Sequence, residues 1–127
     1  MAKILSADDS LLMRTIIRRV VESLGYDFLE AADGRAALEA IESHHEDIHL
    51  VLLDVNMPEM DGFAALKAIK GDERYKNIPV MMVTTESERA QIIRALKIGA
   101  VNYVTKPFSH EELSTKIVES LGQAMGV

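Results

Sequence analysis

LLDVNMPEMDG, residues 52–62, is the stretch on which the reading of this chain turns. The apolar run HLVLL (49–53) stops abruptly at Asp54, and Met57-Pro58, Glu59 and Asp61-Gly62 follow. A strand with apolar residues at successive positions is buried on both faces, as strands of parallel sheets are. Such a strand has reason to finish on a carboxylate and a stiff turn when its carboxyl end borders a ligand site.

Outward from this strand, the chain alternates. KILSA (3–7), FLEA (28–31), VMMVT (80–84) and NYVT (102–105) are apolar runs of strand length. Longer stretches with helical spacing separate them. Leu12, Ile16, Val20 and Leu24 recur every four residues, flanked by Met13, Ile17 and Val21, which marks one helix face. Asp9 or Ser10 suits the start of that helix and Gly25 its end. Asp33 precedes a second helical stretch and Asp61 a third. Thr85 and Glu88 have capping-box spacing before a fourth, which Gly99 stops, and Ser109 and Glu112 repeat that spacing before a fifth. Five βα units in strict alternation predict an α/β fold, a doubly wound five-stranded parallel sheet with helices on both faces and right-handed crossovers.

The totals agree with one soluble domain spanning residues 1–127. Hydrophobic residues make up 48%, enough for a core, and the net charge of −6 argues against direct nucleic-acid binding, which relies on basic phosphate contacts. There is no cysteine, so disulfides and thiolate chemistry are excluded. The N-terminus lacks the pattern of a signal peptide, no segment has the ~18 apolar residues of a membrane span, and the expected location is the cytoplasm.

The strand ends carry the chemistry. The first ends at Asp8-Asp9, the third at Asp54, the fourth at Thr84-Thr85 and the fifth at Lys106-Pro107. With strand order 2-1-3-4-5 these four strands are neighbours, and three acids, a hydroxyl and a lysine converge. Crowded carboxylates take up protons or gather a cation. Mg²⁺ is the natural occupant, because it takes one or two carboxylates and a phosphate oxygen. Phosphoryl transfer is the chemistry this suggests, with Asp54 on the central strand as nucleophile and Asp8 and Asp9 placed as metal ligands. Singly, each residue has a plainer reading: Asp54 or Asp9 as a helix cap, Thr84 as a strand former, Lys106 as a surface lysine and Tyr103 as half-buried packing. His44, His45 and His49 lack the constellation of a metal site, and His110 falls in the first turn of the last helix. Met57, Met60, Met81 and Met82 read as core or turn packing.

ADDS (7–10), LLDVNMPEMDG (52–62), IPVMMVTTE (78–86) and GAVNYVTKPF (99–108) together resemble the receiver domain of two-component response regulators, over nearly the whole chain. That family has the flavodoxin-like strand order 2-1-3-4-5, so the order used above stands on the resemblance as well as on the alternation. The resemblance implies Asp54 as phosphoacceptor. It implies a Mg²⁺ site, which Mn²⁺ also fits, formed by Asp9, Asp54 and the Asn56 backbone carbonyl, with Asp8 acting through water. Thr84 is implied as a hydroxyl that turns toward the phosphoryl group, Lys106 as its pairing lysine, Tyr103 as the coupled aromatic switch and Lys106-Pro107 as a cis bond. Asn56 and Glu86 match stand-alone chemotaxis receivers, in which both positions influence hydrolysis.

The implied partners are a histidine kinase as donor, a flagellar motor switch protein as target and a phosphatase. The target would dock on the face of the fourth helix, fifth strand and fifth helix of a monomer. With the chain ending soon after that helix, no output domain is expected, and no catalysis beyond its own phosphorylation and dephosphorylation. Other uses of this architecture fit less well. A haloacid-dehalogenase-like phosphatase carries its nucleophile on the first strand. A flavodoxin needs a hydroxyl- and Gly-rich phosphate loop where ADDSLL offers two acids. A phosphorelay intermediate would pass its phosphoryl group to a histidine.

Overall fold

The computed structural model describes residues 2–85 and 90–124, with side chains through residue 122. Five strands, β1 (Lys3–Ala7), β2 (Asp27–Ala31), β3 (Ile48–Asp54), β4 (Val80–Thr85) and β5 (Asn102–Lys106), alternate with five helices, α1 (Leu11–Ser23), α2 (Gly34–His44), α3 (Gly62–Lys70), α4 (Ile92–Ile98) and α5 (His110–Ala124). The strands form one parallel sheet in the order β2-β1-β3-β4-β5. The expected fold class and strand order are both found.

Side chains alternate across a strand, and that period sorts the core into two layers. On one face Leu5, Val51, Leu53, Val80 and Met82 pack with Ala37 and Ile41 of α2, Leu66 and Ile69 of α3 and Ala95 of α4. On the other, Ile4, Leu50, Leu52, Met81 and Val83 meet Ile17, Val20 and Val21 of α1 and Leu113 and Ile117 of α5. Residues 50–53 of β3 are wholly buried, as an apolar run covered on both sides must be. Met81 and Met82 are core, and Met57 and Met60 pack partly buried against it.

Side-chain caps fix where most helices begin. Ser10 rather than Asp9 caps α1, its hydroxyl accepting from the Met13 N–H at 3.1 Å. Asp33 and Asp61 accept from Ala36 and Ala64 at 2.7 and 2.9 Å. Ser109 and Glu112 form the reciprocal capping box, at 3.0 and 3.4 Å. Gly25 and Gly99, each at positive φ, follow the ends of α1 and α4.

The fourth helix departs from expectation. Thr85 is still in β4, paired with Lys106, while α4 begins at Ile92 behind Gln91, which makes no side-chain cap bond. The residue at the described start of α4 is thus Gln91, not Thr85. Glu88, the other half of the expected box, lies outside the described residues.

Candidate functional site

The site is built by strands that run to its edge. β3 continues through Asp54 and β5 through Lys106, so both side chains project from regular strand backbone paired with β4. Alternation gives Asp8, Asp54 and Lys106 the parity of the α1/α5 face. It gives Thr84 the parity of Val80 and Met82 on the opposite face. Tyr103, half buried, packs against that second layer, and the register pairs it with Met82 and Thr105 with Thr84.

Lys106 joins the acids. Its Nζ lies 3.0 Å from Asp8 Oδ2 and 3.3 Å from Asp54 Oδ1. Asp8 is almost completely buried, at 1% exposure, and its other oxygen accepts from the Ser10 N–H at 2.9 Å. Asp9 is exposed. Oxygens of Asp8, Asp9 and Asp54 all lie within 4.8 Å of one another. Burial pushes the Asp54 carboxyl up to about 6, helped by the neighbouring Asp8 charge and opposed by Lys106. Burial also works against the Lys106 ammonium, but its hydrogen bond to Asp8 and the fields of Asp54 and Asp8 hold it above the usual lysine range. One lysine therefore does not neutralise the cluster. The remaining demand for positive charge, together with a set of hard oxygen donors, fits a divalent cation such as Mg²⁺.

The turn after Asp54 folds back on the strand that carries it. Gly62 N–H donates to the Val55 carbonyl at 2.9 Å. A Cβ at position 62 would overlap the Asp54 carbonyl oxygen and stand 3.0 Å from Val55 Cα. Glycine is required there because backbone meets backbone. Pro58 and Glu59 tighten the turn, Glu59 at φ 66° and the Met60 N–H donating to the Pro58 carbonyl at 2.7 Å. Asn56 is exposed on this loop, two residues past Asp54.

The other expected residues are placed as follows. Thr84 is fully buried, and its hydroxyl donates to the Thr85 carbonyl at 3.1 Å rather than to the acids. The Lys106-Pro107 bond is cis. Glu86 lies outside the described residues. Among the described residues, the group with the makings of a metal site is Asp8, Asp9 and Asp54. The histidines go elsewhere: His45 tilts against Tyr75 and His49 against Tyr26, while His110 is exposed with its Nε2 3.4 Å from Ser23 Oγ.

Two residues beside the acids escaped sequence reasoning. Arg14 of α1 donates from Nη1 to the Asp8 main-chain carbonyl at 2.6 Å and from Nε to Glu30 of β2 at 2.7 Å. Their separation of sixteen residues leaves no local signal.

Fold and site together define a doubly wound α/β domain with acids and a lysine gathered at the carboxyl edge of its sheet. A family model described as the response regulator receiver domain matches residues 4–118. The chemotaxis protein CheY1 of Helicobacter pylori is 43% identical over 121 residues, covering 94% of this chain and 97% of that one. The CheY homolog of Campylobacter jejuni is 40% identical over 125 residues, covering 98% and 95%. Among solved structures, the chemotaxis response regulator CheY4 of Vibrio cholerae superposes with a TM-score of 0.86 at 34% identity, covering 94% of this chain and 98% of its own. The chain belongs to the response regulator receiver family.

Proposed function

We propose that this chain is a phosphorylation-activated switch of the chemotaxis kind, with Asp54 as its phosphoacceptor. The observation that supports this most is the contact of one lysine, Lys106, with two acids, Asp8 just past β1 and Asp54 at the end of β3. Relatives named as chemotaxis proteins, alike over nearly their whole length, support the pathway.

In the reaction, an Asp54 carboxylate oxygen attacks phosphorus while the bond to the donor breaks. For a phosphohistidine donor the imidazole leaves with the electron pair and is protonated from solvent. Lys106 follows the charge from the free carboxylate to the phosphoryl oxygens. Asp9, Asp54 and the Asn56 carbonyl would hold Mg²⁺ or Mn²⁺, with Asp8 reaching it through water. When bound, that cation neutralises the acids and accepts a phosphoryl oxygen. Phosphorylation adds about −1.5 to −2 of charge and three acceptors. These draw the Thr84 hydroxyl from the Thr85 carbonyl, and Tyr103 takes up the space released.

The chain catalyses only its own phosphorylation and dephosphorylation, with Asn56 and Glu86 tuning the latter. Its donor is a histidine kinase. Its target is a flagellar motor switch protein, docking on α4, β5 and α5 of a cytoplasmic monomer, and a phosphatase resets it. The test is transfer of label from a phosphorylated chemotaxis-type histidine kinase, followed by binding to the motor switch protein. Label that moves to the wild type but not to Asp54→Asn, and strengthens that binding, supports the proposal. Rapid onward transfer to a histidine phosphotransfer protein would replace the switch with a relay. Steady turnover of a phosphomonoester would replace it with a phosphatase.

A further inference from the structure

The edge strand β2 reaches the acidic site through Arg14. The guanidinium donates through Nη1 to the Asp8 carbonyl at 2.6 Å and through Nε to Glu30 Oε1 at 2.7 Å. The Arg14 side chain is only 14% exposed. Glu30 is itself fixed: its second oxygen accepts from Arg18 Nη2 at 2.9 Å, and that guanidinium lies over Phe28, 5.1 Å from the ring centroid. The turn after β1 is thus tied to β2 twice, because the Asp8 N–H also donates to the Ala31 carbonyl at 3.0 Å. Neither tie uses a carboxylate oxygen of the acidic cluster.

From this arrangement we infer that Arg14 and Glu30 form a positioning clamp for the cation site. They hold the main chain of Asp8, and through it the Asp8-Asp9 pair, in ligating geometry. The sign of the electrostatics makes the inference testable. A guanidinium next to a cation site, taken as a charge alone, repels the cation. Glu30, shared with Arg18, offsets part of that charge while leaving the guanidinium's geometry in place, so the loop is oriented at a reduced cost in repulsion. Outer-shell groups of this kind typically contribute 10–100-fold to metal affinity. The inference rests on the proposed metal site, and the experiment separates the two.

Mg²⁺ itself is titrated by calorimetry into the full chain, beside Asp9→Asn, Arg14→Ala, Arg14→Lys and Glu30→Gln. Urea unfolding of each metal-free variant gives its stability independently. The clamp predicts that Arg14→Ala weakens Mg²⁺ binding about tenfold, although it removes a positive charge. Arg14→Lys should stay weak, because an ammonium cannot bridge two acceptors with the same fork. Glu30→Gln should weaken binding too, and more so at low salt, where the uncovered guanidinium acts farther. Tighter or unchanged binding by Arg14→Ala, whatever its stability, would overturn the clamp and leave the metal site standing. No saturable binding by the wild type, or equal binding by Asp9→Asn, would remove the metal site and the clamp with it. If Arg14→Ala does not fold, Glu30→Gln and Arg14→Lys carry the same test: binding as tight as wild type by both would overturn the clamp.

Discussion

Asp54 is buried, yet the role proposed for it as nucleophile needs it charged, and these demands conflict. Its carboxyl is pushed up to about 6 by burial and by Asp8, against the pull of Lys106. A carboxyl raised in the folded state holds more protons there than in the unfolded chain, so stability falls as pH rises from about 4 to about 6. Above that window the full cost remains, about 3 kcal/mol for a rise of about two units, as an upper bound. In metal-free protein, Asp54→Asn is therefore expected to be more stable than wild type by up to about 3 kcal/mol at pH 8. Urea unfolding in EDTA should show that gap closing toward pH 4, and Mg²⁺ should narrow it at pH 8. A gap that does not change with pH would contradict this account of the site. The identities of Asp8, Asp9, Asp54 and Lys106 were legible because each follows an apolar run. The closer approach of Lys106 to Asp8 was not legible, nor was the Thr84 hydroxyl on the Thr85 carbonyl. The first depends on how neighbouring strands twist past one another and the second on the rotamer of Thr84, neither of which strand-length patterns contain.

Between β3 and α3 the chain returns so tightly that Gly62 rests on the backbone of Asp54. The clash in Gly62→Ala involves main-chain atoms and has no flexible side chain to relieve it. A loss of about 1–3 kcal/mol is expected, measured by chemical unfolding, along with slower phosphorylation as the Asp54 carbonyl is displaced. Wild-type stability would show that this turn is looser than the structure has it. In the proposed switch, strand β4 supplies the moving hydroxyl, that of Thr84. Thr84→Ala should still accept a phosphoryl group but should lose most of the amide shift changes in β5 and α4 that phosphorylation causes in the wild type. Equal shift changes in both proteins would remove Thr84 from the switch. Caps at Asp33, Asp61 and Ser109 were readable because each polar residue sits just ahead of a helical face. The Thr85–Glu88 pair has the same spacing, but Thr85 ends β4 and the described start of α4 lies at Ile92, behind Gln91. Local spacing does not reveal where a strand stops when its neighbour extends it.

The whole fold was the most legible level, since strict βα alternation admits few arrangements and the order β2-β1-β3-β4-β5 gathers the reactive strand ends. What it hid was the part played by β2, an edge strand tied to the site both by the Ala31 carbonyl and through Arg14 on a helix. A cation that binds the folded chain alone stabilises all of it. Mg²⁺ at tenfold its dissociation constant should add about 1.4 kcal/mol, seen as a higher unfolding midpoint that is absent in Asp9→Asn. Every role proposed for this domain depends on a phosphoryl group reaching Asp54, and intact mass detects that transfer. The chain is incubated briefly with a small acyl phosphate, with Mg²⁺ or with EDTA, beside Asp54→Asn. One added phosphoryl group on the wild type, requiring Mg²⁺ and missing from the mutant, is the result predicted. An unmodified wild type, or an adduct that persists in Asp54→Asn, would contradict it.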